Sequence, residues 1–413
     1  MHAHSTVAVG EPVSRGREIA IVVVMALGFG LVGIDRFLIT TLFPTIAKDL
    51  HLDYADIGII TGALAFAWGL AALLIGNLSD HIGRRVVLAG SLLLFSLLIG
   101  GSGLAASLSG LVAVRIVMGL ADGAYTPASI TATLEASPRE RHGLNIGIQQ
   151  MMLPLCGLGL GPLLVGALLH VIDWRQIFLV FVVPGLLLAL AVWRVVPPKP
   201  ASLPVVRPSL KASIGDWRTV LAIPNIRTAS LMMLCWLTCL MTTSAFLPNY
   251  LVDHLHLPFG RMSMVMSAIG IGSTVGTLLL PWLSDKFGRR PVMTASAAGA
   301  LASLLFLFRC GPDPLALFAC LFCVHAFNNA LITLTVGPVC MESVPLTLAA
   351  TASGLVIAIA EFFGGGLAPT IVGQVAQRFG LEHMLVLPIV MMVVGLFLTR
   401  ALEETRAARQ ESA

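Results

Sequence analysis

The chain has 413 residues, 57% of them hydrophobic and 11% charged, against roughly 25% charged in an ordinary soluble domain. That balance excludes a water-soluble fold, which would have too little charge to cover its surface. The formal net charge is +4, but the basic residues gather in short loops rather than in a stripe that could track phosphates, so no nucleic-acid partner is expected.

Apolar runs of bilayer-spanning length recur along the whole chain. Twelve spans are expected, at about 19–42, 55–77, 85–104, 108–132, 143–170, 175–196, 226–250, 261–283, 290–309, 313–338, 350–376 and 382–402. The fold class is therefore an all-α membrane protein of twelve transmembrane helices in two six-helix halves. Residues 1–18 and 403–413 are expected as tails, 19–196 and 226–402 as the halves, and the proline-rich stretch 197–225 as their linker. The head lacks an apolar core closed by a small-residue cleavage site, so the first run is expected to be retained. An even count puts both termini on one side.

The first span, "VGIDRFLITTLFP", carries Asp35 beside Arg36. An ionisable residue inside a span is costly and marks a functional candidate. In the second span Trp68 can stack on a ring or sugar face, although membrane tryptophans more often pack. The loop "NLSDHIGRRVV" follows, with Asp80, Gly83, Arg84 and Arg85. A connection this short needs a sharp turn, which Gly83 supplies. Along the fourth span Arg115 and Asp122 lie seven residues apart, two turns along one helix face, and can share a cavity. Either Arg36 or Arg115 can offer a planar fork to an anion, and paired carboxylates can take up protons. A purely structural ion pair between the first and fourth spans is the alternative.

In the fifth span Gln149 and Gln150 cannot both face a cavity, and one of them is a candidate substrate ligand. The tenth span offers His325, Asn328 and Asn329, for which helix–helix hydrogen bonds compete with substrate contact. Glu361 stands alone in the eleventh span, "IAEFFGGGLAP". That glycine run and "CGLGLGP" are read as close helix contacts and hinges. Seven cysteines lie mostly within apolar runs and are expected as buried structural thiols. No nucleophile with its base and no metal cluster is apparent, so neither an enzyme nor a cofactor is expected. A non-transporting receptor stays open.

The chain repeats itself. Gly83, Arg84 and Arg85 return as Gly288, Arg289 and Arg290 at a shift of 205, with Asp80 returning as Asp285, and Glu135 returns as Glu342 at 207. Such parallel halves are related across the membrane normal. Arg84 with Glu135, and Arg289 with Glu342, are expected as pairs that latch one face when it closes; plain topology is the competing reason for the arginines. Arg84, Arg85, Arg139, Arg141, the linker, Lys286, Arg289 and Arg290 share a side, which the positive-inside rule makes cytoplasmic.

"GNLSDHIGRR" resembles the signature loop of the major facilitator superfamily, G-x-L-x-D-x-x-G-R-R, and "LSDKFGRR" its second copy. The resemblance covers essentially the whole chain and implies a rocker-switch transporter with a central site. Asp35–Arg36, with Arg115, Gly119, Asp122, Gly123 and Pro127 in the fourth span, resembles the anion:cation symporter family. It implies Arg36 for the substrate carboxylate and Asp35 and Asp122 for protons. That family usually has glutamate at Asp122, and a neutral amide at Glu361. Glu361 is accordingly a third proton site, a partner for a substrate amine or hydroxyl, or a sign of another cargo. The expected function is proton-coupled symport of a small organic anion, a sugar acid or other monocarboxylate, by a monomer in a bacterial inner membrane. An exporter of lipophilic drugs or amphiphiles is the alternative.

Overall fold

The computed structural model describes residues 14–75, 82–198, 217–345 and 348–404. Twelve helices among them are long and apolar enough to cross a membrane. They are α1 (Arg15–Leu50), α2 (Tyr54–Ile75), α3 (Arg84–Leu104), α4 (Leu108–Ala136), α5 (His142–Leu168), α6 (Trp174–Val195), α7 (Pro224–His254), α8 (Phe259–Phe287), α9 (Arg289–Arg309), α10 (Pro314–Ser343), α11 (Thr351–Phe379) and α12 (Leu381–Ala401). The protein is an integral membrane protein.

Several helices start where a side chain satisfies their first amides. Ser107 accepts from Gly110 N–H at 3.3 Å to begin α4, and Asp173 with Gln176 forms a capping box on α6. Asp313 caps α10, which also has proline in its first turn. α1 begins at Arg15, inside the expected tail, and has 36 residues, about 54 Å of helix against a hydrocarbon core of about 30 Å. Its early start has a physical reason: Glu18 is buried under Arg141 and Asn145 of the α5 entry. Most of the expected linker lies outside the described residues. Of the expected C-terminal tail, Glu403 and Glu404 are tied to the helices: the Glu403 amide donates to Asn225 Oδ1 at 3.0 Å, and the Glu404 carboxylate accepts from the amides of Arg289 and Arg290 at 2.8 and 3.0 Å, closing the amino end of α9.

The two halves repeat at the backbone level. Gly83 and Gly288 sit at φ 95° and 96° ahead of α3 and α9, a region open to glycine. His51 and His256, also 205 apart, both sit at φ 54° after α1 and α7, a correspondence the sequence repeat had not brought out. The glycine runs become π-helical turns at Leu155–Leu160 and Glu361–Leu367, and two more such turns occur at Tyr250–His254 and Thr335–Val339.

Glycines bring the halves together at one end. A Cβ on Gly62 of α2 would stand 2.6 Å from the carbonyl of Gly366 on α11, and one on Gly58 would stand 2.5 Å from that of Pro369. In the matching pair, Gly270 of α8 packs backbone to backbone on Gly159 of α5, and a Cβ on Gly166 would meet Ser263 at 2.7 Å. These contacts lie toward the end that carries residues 51–53 and 255–258. Toward the opposite end, beside the Gly83 and Gly288 turns, Gly143, Gly147, Gly337 and Gly354 face open space. Among the described glycines, close backbone approach between the halves is thus found toward that first end.

Candidate functional site

Five charged side chains from three helices meet at mid-depth. α1 supplies Asp35 and Arg36, α4 supplies Arg115 and Asp122, and α11 supplies Glu361; Asp35 and Asp122 have no exposed surface, and Arg36 has 7%. Arg115 donates through Nη1 to the Asp35 carbonyl at 2.9 Å, and the same nitrogen stands 3.7 Å from Asp35 Oδ1. Asp122 lies within electrostatic reach of Asp35, Arg36 and Arg115. The carboxylate oxygens of Asp35 and Asp122, and Nε and Nη2 of Arg115, have no hydrogen-bond partner among the described residues. Buried polar atoms of this kind are expensive unless a proton, a water or a ligand serves them.

Arg36 is held differently. Its Nη2 donates to Glu361 Oε2 at 2.7 Å, and its guanidinium lies 4.4 Å from the ring centroid of Trp68 on α2. The same Nη2 approaches Met241 Sδ on α7 at 3.3 Å. Arg36 and Met241 are 205 residues apart, the shift that relates the signature loops. A residue touching its own repeat mate lies on the axis between the halves, so Arg36 sits on the pseudo-twofold axis. Sequence reasoning missed Met241, although adding the repeat shift to Arg36 points to it. A narrow cavity of about 20 Å³, lined by Arg36, Thr40, Thr61, Arg115, Met241 and Ser244 among others, adjoins the site. It holds about one water.

The other expected ligands stand elsewhere in this conformation. Gln149 is fully buried, accepting from Thr133 at 2.6 Å and donating to Ser129 at 2.8 Å, so its amide ties α5 to α4. Gln150 on the neighbouring face is exposed. Asn328 donates to the Trp236 carbonyl at 3.1 Å, Asn329 to Thr277 Oγ1 at 3.2 Å, and His325 meets Thr243 at 3.3 Å. These three bind α10 to its neighbours, the packing alternative weighed for them.

Both expected arginine–glutamate pairs form. Arg84 contacts Glu135, and Arg289 reaches Glu342 at 2.9 Å and Asp285 at 2.5 Å. Asp80 lies outside the described residues. Each pair joins helices of one half, α3 to α4 and α9 to α10, so each ties together helices within a half. At the end where the glycines bring the halves together, Tyr54 of α2 donates its amide to Gln377 Oε1 at 3.1 Å, and its hydroxyl lies 3.4 Å from Asp253 Oδ2.

The sequence model of the Major Facilitator Superfamily matches residues 25–369. The chain belongs to that superfamily. It is a membrane transporter of this fold. It is similar to the 3-(3-hydroxy-phenyl)propionate transporter of Escherichia coli, 31% identical over 63% of this chain and 64% of that one. It is also similar to the sialic acid transporter of Escherichia coli, 26% identical over 82% of this chain and 84% of the relative. An uncharacterized MFS-type transporter of Mycobacterium tuberculosis is 31% identical over 40% of this chain, which spans only 29% of that relative's length. Among solved structures, a bacterial homologue of the human lysosomal transporter Spinster, inward-facing and occupied, superposes with a TM-score of 0.79 at 18% identity, covering 94% of this chain and 97% of that one. That likeness speaks for the fold.

Proposed function

We propose that this transporter is a proton-coupled symporter that carries a small organic anion, a sugar acid or other monocarboxylate, into the cell by alternating access. Arg36 carries the reading. It is a guanidinium fork on the axis between the halves, backed by the Trp68 ring, where a carboxylate can be bound bidentately and passed from one side to the other. Two of the relatives move carboxylic acids by name, which favours the same cargo class here.

Charge balance supports the proton. Two guanidiniums face three carboxylates in the buried site, so one negative charge is left over until a proton binds. Asp35 and Asp122, whose carboxylate oxygens have no hydrogen-bond partners among the described residues, are the proposed carriers of that proton. Cargo at Arg36 and protons on the acids then satisfy the site together, and the halves reorient about the glycine contacts. By the positive-inside rule the end that carries the Gly83 and Gly288 turns faces the cytoplasm. We place the protein in a bacterial inner membrane, working as a monomer.

The test is uptake of labelled carboxylates by proteoliposomes under an inward proton gradient. Wild type should accumulate at least one sugar acid or aromatic acid, and Arg36→Ala should abolish it. Glu361 favours a second reading, because it neutralises Arg36 and leaves a partly aromatic, apolar surround. Expulsion of lipophilic cations, with no carboxylate moved, would establish that exporter instead.

A further inference from the structure

Arg36 already holds a carboxylate, and it comes from its own chain. The Arg36–Glu361 pair is 2.7 Å long, its side chains are 6% and 7% exposed, and it spans the two halves. The local fold is built to keep the Glu361 head group there. Glu361 opens the π-helical turn Glu361–Leu367, and such wide turns re-aim side chains at functional sites. Gly365 leaves room for the carboxylate: a Cβ at that residue would stand 2.5 Å from Glu361 Oε2 and 3.0 Å from Ala65 Cβ. On the facing helix, a Cβ on Gly69 would be in ordinary contact with Glu361 Cβ at 3.4 Å.

Few other ionisable groups surround this pair. From α1 come Arg36 and Asp35; Asp35 is engaged by Arg115 of α4, and Asp122 of α4 lies within electrostatic reach of Arg36. α2 carries nothing ionisable from Ile57 to Ile75, and α7 offers the thiols Cys235 and Cys239. On α11 the remaining ionisable residue is Arg378, more than four turns away. Arg36 is therefore the charge that Glu361 answers to. An anionic cargo arriving while Glu361 is ionised would bring a fourth negative charge to two guanidiniums.

We infer that Glu361 is a built-in competitor for the cargo: its carboxylate holds Arg36 between turnovers, and a monocarboxylate takes Arg36 only when Glu361 has taken a proton. This rests on Arg36 being the anion site. Glu361 accepts one proton from solution and becomes a neutral acid, Arg36 stays cationic, and the cargo carboxylate replaces the glutamate on the guanidinium. One proton and one anion enter together, so the charge of the site is unchanged. On release the cargo leaves, the proton returns to solution, and the Arg36–Glu361 pair re-forms. A neutral amide at this position would bind an anion without needing that proton.

Equilibrium binding of labelled glucuronate and labelled 3-(3-hydroxyphenyl)propionate to the purified full-length protein tests this. Over about pH 5 to 8 the wild-type dissociation constant should weaken with rising pH, approaching tenfold per unit, while Glu361→Gln binds tightly and with a flatter profile. Glu361→Asp, which keeps the acid, should restore the slope. The infrared carboxylic-acid absorption that grows as the wild type is acidified should lose its Glu361 component in Glu361→Gln and keep that of Asp35 and Asp122, a readout that needs no cargo. A Glu361→Gln profile as steep as wild type, or loss of binding in that variant, overturns the competition while leaving the anion reading standing. An infrared absorption that Glu361→Gln leaves unchanged overturns it as well. If neither probe binds any variant at any pH although the Glu361 component is present, the anion reading of Arg36 has failed and the competition falls with it.

Discussion

Arg115 and Asp35 share one buried contact in which neither side chain is more than 1% exposed. Removing one partner of such a pair strands the other, at a cost of about 3–5 kcal/mol, whereas replacing both is far milder. Arg115→Met should therefore lower the apparent melting temperature in detergent strongly, and Arg115→Met with Asp35→Asn should recover most of the loss. Equal damage from the single and double variants would remove the pair as a structural element. The Asp122 carboxylate makes no hydrogen bond among the described residues, so Asp122→Asn should leave stability nearly unchanged. In transport it should keep exchange of labelled for unlabelled carboxylate and lose accumulation against a gradient; undiminished accumulation would take Asp122 out of the proton path. The five charged residues stood out in the sequence because charge inside apolar runs is costly wherever the helices pack. The pairing of Arg36 with Glu361 did not. Arg36 and Glu361 are 325 residues apart, and only the packing of α1 against α11 brings them together. The bonds of Gln149 to Ser129 and Thr133 were hidden for the same reason, since they depend on how α4 and α5 are rotated.

Helix positions were far easier to read than helix detail. All twelve expected spans correspond to observed helices, because a bilayer sets one length for every spanning segment. Their ends run further than hydropathy suggested: α1 starts at Arg15 and α7 continues to His254, since polar side chains can carry a helix past the hydrocarbon edge. The π-helical turns carry no hydropathy signal, although glycine runs marked two of them. The α2–α11 contact depends on backbone approach at Gly58 and Gly62. Gly62→Leu should hold these helices apart, because its side chain meets the carbonyl of Gly366 and Thr370 Oγ1. Spin labels at Asp56→Cys and Arg378→Cys, in a background without native cysteines, should report a longer and broader distance in Gly62→Leu. An unchanged distribution would mean that another contact closes this end.

Across the whole molecule, a pseudo-twofold axis passes through Arg36 and Met241, and each half is braced by its own Arg84–Glu135 or Arg289–Glu342 pair. Halves braced internally can move as units about a site on their axis. The repeat was visible in the sequence, but the side on which the halves meet was not, since the glycines that join them serve equally well in packing within a half. The measurement that tests the account most directly uses proteoliposomes with a trapped pH dye and no imposed gradient, to which glucuronate, too polar to cross unaided, is added outside. Where labelled glucuronate enters, the account requires acid to appear inside with it, and both to be lost in Arg36→Ala. Glucuronate entering with no acidification, or entering equally well through Arg36→Ala, would contradict it.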